Sequence, residues 1–187
     1  RRKSVMRKWV LVLMMVGLCA TMASAAGGLG IFGSYWDTKD LGPGFGGGVK
    51  FSGDLTEFLA IELRASCVTK FDDWDGDDEL FIIPLEAGLI FNLPLGEDVP
   101  LTLYGGGGGG YAIIPEADDV DLDDEFCFYG VAGAAFALNE SIAIFGEAQY
   151  RFLEVDGVKV DGRRIDTGGE KAKLSGLGVN VGLRFSF

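Results

Sequence analysis

The chain of 187 residues contains no histidine. That absence removes the commonest general base and a frequent metal ligand, so no enzymatic activity is expected. Cysteine is scarce, with three residues of which Cys19 falls in a leader segment, leaving Cys67 and Cys127, too few for a disulfide scaffold. Positive charge is also short: 16 Lys and Arg stand against 28 Asp and Glu, a net charge of −12. Five of the bases and none of the acids lie in residues 1–25, so the remainder carries −17. Nucleic acid, which needs a basic face, is excluded as a partner; a basic protein or a divalent cation suits the charge better. Helix-period segments of useful length are missing after residue 25.

Residues 1–25 read RRKSVMRKWVLVLMMVGLCATMASA. A basic start, an apolar run from Trp9 to Met22 and the small-x-small site Ala23-Ser24-Ala25 make a secretory signal peptide. The run is shorter than the roughly 20 residues of a membrane helix. Cys19 follows Leu18, where a lipid-anchoring signal wants a small residue. One domain, residues 26–187, remains.

That domain is rich in what a thin, curved β-wall uses: 30 of the 187 residues are glycine. From Ser175 to Phe187 the odd positions are apolar and end in aromatics, while the even ones are Gly176, Gly178, Asn180, Gly182, Arg184 and Ser186. This is period two, a strand with a different medium on each side. Seven further extended runs precede it: Leu29–Asp37, Gly44–Ser52, Phe58–Phe71, Leu80–Asn92, Leu101–Ile114, Phe126–Leu138 and Ser141–Leu153. Each is long enough to cross a bilayer when tilted, for which roughly 9–11 residues suffice. Large aliphatics share one face and charged residues share the other with glycine, the reverse of a soluble barrel. The sixth run alternates too poorly to assign its faces. Aromatics gather near strand ends (Tyr35, Trp36, Phe71, Phe81, Phe91, Phe126, Phe152, Phe185, Phe187), as in an interfacial girdle. An even count lets an antiparallel sheet close and removes its edges. Shorter connections alternate with longer, acidic ones, which puts both termini on the periplasmic side.

The order and spacing of IIPLEAGLIFNLP, IAIFGEAQYRF and LGVNVGLRFSF resemble the small eight-stranded outer-membrane β-barrel family, the OmpA/OmpX-like, porin-like transmembrane barrels. The resemblance implies an all-β, eight-stranded, up-and-down antiparallel barrel in the outer membrane of a bacterium, monomeric and contacting lipid. It also implies that Leu183, Phe185 and Phe187 form the signal read by the barrel-assembly machinery.

Seven charged residues fall on inward positions: Lys50, Glu62, Arg64, Glu86, Glu147, Arg151 and Arg184. An eight-stranded barrel is just wide enough to be filled by side chains, so these charges must pair. A salt-bridge plug is the simpler reading, and a gate over a narrow conduit the alternative. Charge compensation also explains the three glutamates more simply than acid–base catalysis does. The run Gly105–Gly110 contains G-x-G-x-x-G, but a strand rather than a helix N-terminus follows it, so the glycines are read as making room in the wall. Two loops are strongly acidic: Asp72, Asp73, Asp75, Asp77 and Asp78 around Trp74, and Asp119, Asp121, Asp123 and Asp124. Neither has EF-hand spacing. Weak Ca²⁺ or Mg²⁺ binding and a merely solvated, repelling surface are both open, and no cofactor is expected. Cys67 and Cys127 are expected at similar heights on nearly opposite strands, unpaired. An arginine at lipid-facing Val181 is expected to cost more than one at lumen-facing Asn180.

Overall fold

A computed structural model describes residues 27–39, 41–69, 81–96, 99–114, 120–121, 125–155, 159–160, 163–164 and 172–187. The signal peptide expected over residues 1–25, and the acidic residues Asp72, Asp73, Asp75, Asp77, Asp78, Asp119, Asp123 and Asp124, lie outside this set.

Eight long strands form the wall: β1 Gly27–Thr38, β2 Gly42–Asp54, β3 Leu59–Thr69, β4 Ile83–Pro94, β5 Leu101–Ile113, β6 Glu125–Ala137, β7 Ile142–Val155 and β8 Gly176–Ser186. Every strand pairs antiparallel with the next, and β8 pairs with both β7 and β1. The closing seam runs from Gly28 opposite Ser186 to Thr38 opposite Gly176. The sheet therefore has no edge, which a wall in hydrocarbon requires because lipid offers no hydrogen bonds. The glycine run is continuous strand within β5.

At the terminal end, where β1 begins and β8 finishes, the turns are residues 55–58, 95–100 and 138–141. Three of the four connections at the opposite, loop-side end are longer, covering residues 70–82, 114–124 and 156–175. Within them Val120–Asp121, Lys159–Val160 and Arg163–Arg164 make a small three-stranded ribbon, and Ala172–Lys173 extends the pairing of β7. The exception is the β1–β2 connection, expected over 38–43 but only residues 39–41. Gly42 takes a positive φ of 65° there, and Thr38 clamps the turn by donating through Oγ1 to the Gly42 carbonyl at 3.0 Å. A glycine accepts this backbone without strain.

Alternation sorts side chains as a membrane wall demands. Leu29, Ile31, Val49, Leu89, Phe91, Ile144, Tyr150, Val179 and Val181 lie on the exposed outer face. The unreadable sixth run, now β6, turns Phe126 and Phe128 outward, 64% and 65% exposed, and Cys127, Tyr129 and Val131 inward. Its pattern is weak because Gly130 and the small residues Ala132–Ala135 interrupt it. Of the girdle aromatics, Trp36 is not on the outside: it has 0% exposure, because its even position on β1 faces the lumen. The two cysteines are unpaired, as expected, but differ in side, Cys67 exposed on the wall and Cys127 buried within.

Inward glycines sit where bulky neighbours cross. A Cβ at Gly30 would stand 2.7 Å from Lys50 Cγ, and one at Gly88 2.5 Å from the Tyr129 hydroxyl. At Gly106 and Gly108 it would run into the carbonyls of Leu89 and Ala87 on the adjoining strand, so the run serves the close β4–β5 approach rather than any phosphate.

Candidate functional site

The lumen has three levels. The middle one is ionic and is centred on Glu147 of β7. Its Oε2 accepts from Lys50 Nζ at 2.8 Å and from the Tyr104 hydroxyl at 2.8 Å, while Oε1 accepts from Arg64 at 2.9 Å and Asn180 Nδ2 at 2.9 Å. Glu62 bridges the same two cations, through Arg64 Nε at 3.1 Å and Lys50 Nζ at 3.4 Å. A second cluster lies toward the loop side: Glu86 accepts from Arg151 Nε at 2.8 Å and from Gln149 Nε2 at 3.0 Å to each oxygen. Gln149 joins the clusters by accepting from Arg64 at 3.0 Å and Asn180 at 3.1 Å. Three carboxylates thus meet three cations, all six buried. Arg64 stands beside both Lys50 and Glu86 in the wall register, yet its strongest partners are Glu62, two residues away on its own strand, and Glu147 across the lumen.

Aromatic rings complete the cations' surroundings. Lys50 Nζ lies 3.9 Å from the Phe145 ring centre, Arg64 is 5.3 Å from Tyr129, and Arg151 is 4.8 Å from Trp36. Ring faces attract cations most strongly where water is excluded.

Above the ions, the loop-side level is built around apolar side chains. Trp36, Val68, Ile82, Ala112, Ile114, Cys127, Leu153 and Leu174 form one buried cluster, with Leu41 against it. Below the ions, the terminal end opens into a vestibule of about 560 Å³ whose lining includes Asp54, Glu57, Asn92, Thr102, Tyr104 and Arg184. Arg184 was expected in the charge network but is not brought to it: it projects into this vestibule, and no ion pair to it exists among the described residues. Its position on β8 is two inward steps nearer the terminal end than the Glu147 partner Asn180.

The seven expected residues therefore divide into six that meet and one that stands apart. Tyr104, Gln149 and Asn180 were missed as network members. Asn180 carried a signal, its inward parity on a cleanly alternating strand; Tyr104 stands beside the featureless glycine run. Leu183, Phe185 and Phe187 follow one another on the outward parity at the end of β8, with Phe187 61% exposed. Of the acidic loops, only the Asp121 backbone is described, opposite Lys159 in the small ribbon. Among the described residues, no three Asp, Glu or Cys side chains gather as a metal cage.

An edgeless barrel with an apolar exterior and its charged side chains turned inward is an integral β-barrel membrane protein, the class found in the bacterial outer membrane. The chain belongs to the outer membrane protein beta-barrel domain family, whose model matches residues 10–185. No curated protein matches it. Among solved structures it is similar to Neisserial surface protein A (NspA), at 12% identity and a TM-score of 0.66, over 86% of this chain and 97% of that one. It is also similar to Ail, the attachment invasion locus protein of Yersinia pestis, in complex with the heparin analogue sucrose octasulfate: 16% identity, TM-score 0.53, 87% of this chain and 99% of that one. A major outer membrane protein from Thermus thermophilus aligns at 14% identity and a TM-score of 0.57, over 87% of this chain and all of its own. At such identities the likeness is one of fold.

Proposed function

We propose that this barrel is a closed, non-enzymatic outer-membrane protein with a structural or surface-interaction role, its lumen plugged and its acidic loops directed outward. The observation that carries the plug is the matched set of three buried carboxylates and three buried cations beneath a buried apolar cluster. Moving these ions apart would strand charges at a cost of several kcal/mol each, so the resting lumen favours closure over conduction. The long connections carry the acidic runs at 72–79 and 116–125, and the short turns face the periplasm. Ail was crystallised with a polyanion; loops of the opposite composition suit a basic extracellular partner, or divalent cations bridging them to anionic surfaces. Leu183, Phe185 and Phe187 would serve the assembly machinery before the barrel reaches lipid.

The alternative, a narrow passive conduit, draws on the vestibule, which reaches inward as far as Tyr104 beside Glu147. Planar-bilayer recording separates the two. The expected trace has no discrete conductance; stable openings abolished by Glu62→Gln would overturn the plug.

A further inference from the structure

We propose that the vestibule at the terminal end binds a short zwitterionic peptide, its carboxylate held by Arg184 and its ammonium by Asp54 and Glu57. The site goes beyond the surface role above and does not rest on it.

Charge bookkeeping singles out Arg184. The other six inward charges cancel, three against three, and leave this guanidinium over. Its Nε is buried and has no hydrogen-bond partner among the described residues, laid against the wall where Gly28 has no side chain: a Cβ there would stand 2.7 Å from that nitrogen. Arg184 as a whole is half-buried and lines the cavity. A guanidinium is a rigid fork of donors that matches the two oxygens of a carboxylate.

The cavity has room for more than an ion. Its volume of about 560 Å³ falls within the roughly 300–1,000 Å³ of small-molecule sites, and Asn92, Thr102 and Ser186 supply neutral hydrogen-bonding groups around it. The occupant's second charge is set by the rim. Asp54 ends β2 and Glu57 lies in the following turn, and neither pairs with Arg184. A bare anion entering past them would be repelled, whereas a molecule with an ammonium at its trailing end meets opposite charge at both ends. Gly28, against which Arg184 Nε lies, pairs with Ser52 on β2, so Asp54 stands one strand across, about 5 Å, and two residues further along, about 7 Å, or roughly 8–9 Å away. Three extended residues, at about 3.4 Å each, span that distance.

The test titrates three probes into the full chain folded in detergent micelles, by calorimetry: trialanine, trialanine amide, which lacks the carboxylate, and N-acetyltrialanine, which lacks the ammonium. Trialanine is expected to bind, and the amide to bind about tenfold more weakly or worse, as loss of a charge-assisted pair implies. Arg184→Met should weaken trialanine to the same degree. The double variant Asp54→Asn with Glu57→Gln should erase the difference between trialanine and its acetylated form. Heat-modifiable gel mobility reports whether each variant has folded; should Arg184→Met not fold, Arg184→Lys replaces it, with weaker binding but retained discrimination against the amide. No heat from trialanine, equal binding of the amide, or full binding by folded Arg184→Met would each overturn the proposal.

Discussion

The middle and the loop-side end of the lumen use adjoining inward positions of the same strands, yet they are filled by opposite chemistry. On β7, Glu147, Gln149 and Arg151 are ionic or polar, and the next inward residue, Leu153, is apolar. On β3 the change falls between Arg64 and Val68, and on the β4 side between Glu86 and Ile82. Both levels exclude water, by different means. Apolar side chains fill space with no demand on direction, and contribute about 25 cal/mol per Å² buried. Buried ions stabilise only when each finds its partner, and one left alone costs more than a lost contact. The apolar level is tolerant, then, and the ionic level exacting.

The sharpest break of that contrast is Glu147→Ala. Glu147 is the carboxylate shared by Lys50 and Arg64, with Tyr104 and Asn180 also donating to it. Its removal leaves two buried cations with Glu62 alone, and a loss of about 3–5 kcal/mol is expected. Urea unfolding in micelles, followed by the fraction of heat-modifiable barrel, measures it. An unchanged midpoint would mean that water already reaches these ions.

Parity made much of this legible in sequence, and depth did not. The inward positions of β3, β7 and β8 followed from large aliphatics alternating with Glu, Arg, Asn and Gly, because period two is a local property. The closure of β8 on β1 followed from an even strand count. What stayed hidden depends on where a residue stands along the barrel axis. Trp36 was assigned to the girdle because it sits beside Tyr35 near a strand end, although one residue of difference puts it inside. Arg184 shares its face with the network, yet β8 carries it past the ions into the vestibule. Val68, Ile82, Ile114 and Leu174 come from four separate segments, and no spacing in the chain announces that they meet. The pairing of Arg64 with Glu147 spans 83 residues and depends on the barrel's girth, which the local pattern does not carry.

A second comparison sets lumen against lipid at one level, and here the structure revises the expectation. Val181→Arg puts a charge on the outer wall, where Val181 is 56% exposed, and should cost about 2–4 kcal/mol near the bilayer midplane. Asn180→Arg was expected to be the mild member of the pair. Asn180 is buried, however, and donates to Glu147 at 2.9 Å and Gln149 at 3.1 Å. An arginine there adds a fourth cation to a balanced set and overfills the space, about 1–3 kcal/mol for the packing alone. The two variants should therefore fall close together in urea midpoint. A wild-type midpoint for Asn180→Arg would show a lumen loose enough to admit the longer side chain, which favours the conduit over the plug.

The smallest effect concerns the two thiols, which label the contrast without disturbing it. Cys67 lies exposed on the outer wall and Cys127 lies buried in the apolar level beside the ions. Replacing Cys67 by serine should change stability by no more than about 0.5 kcal/mol, since it removes no packed contact. N-ethylmaleimide, small and soluble in apolar phases, should modify Cys67 in the folded barrel and spare Cys127; urea should release the second site, and peptide mass mapping locates each adduct. Reaction is governed by access to the thiolate, so Cys127 reports directly on whether the apolar level opens. If Cys127 is modified in the folded protein as fast as Cys67, the loop-side end admits small molecules from outside, and the difference between the two levels is one of residue type alone rather than of closure.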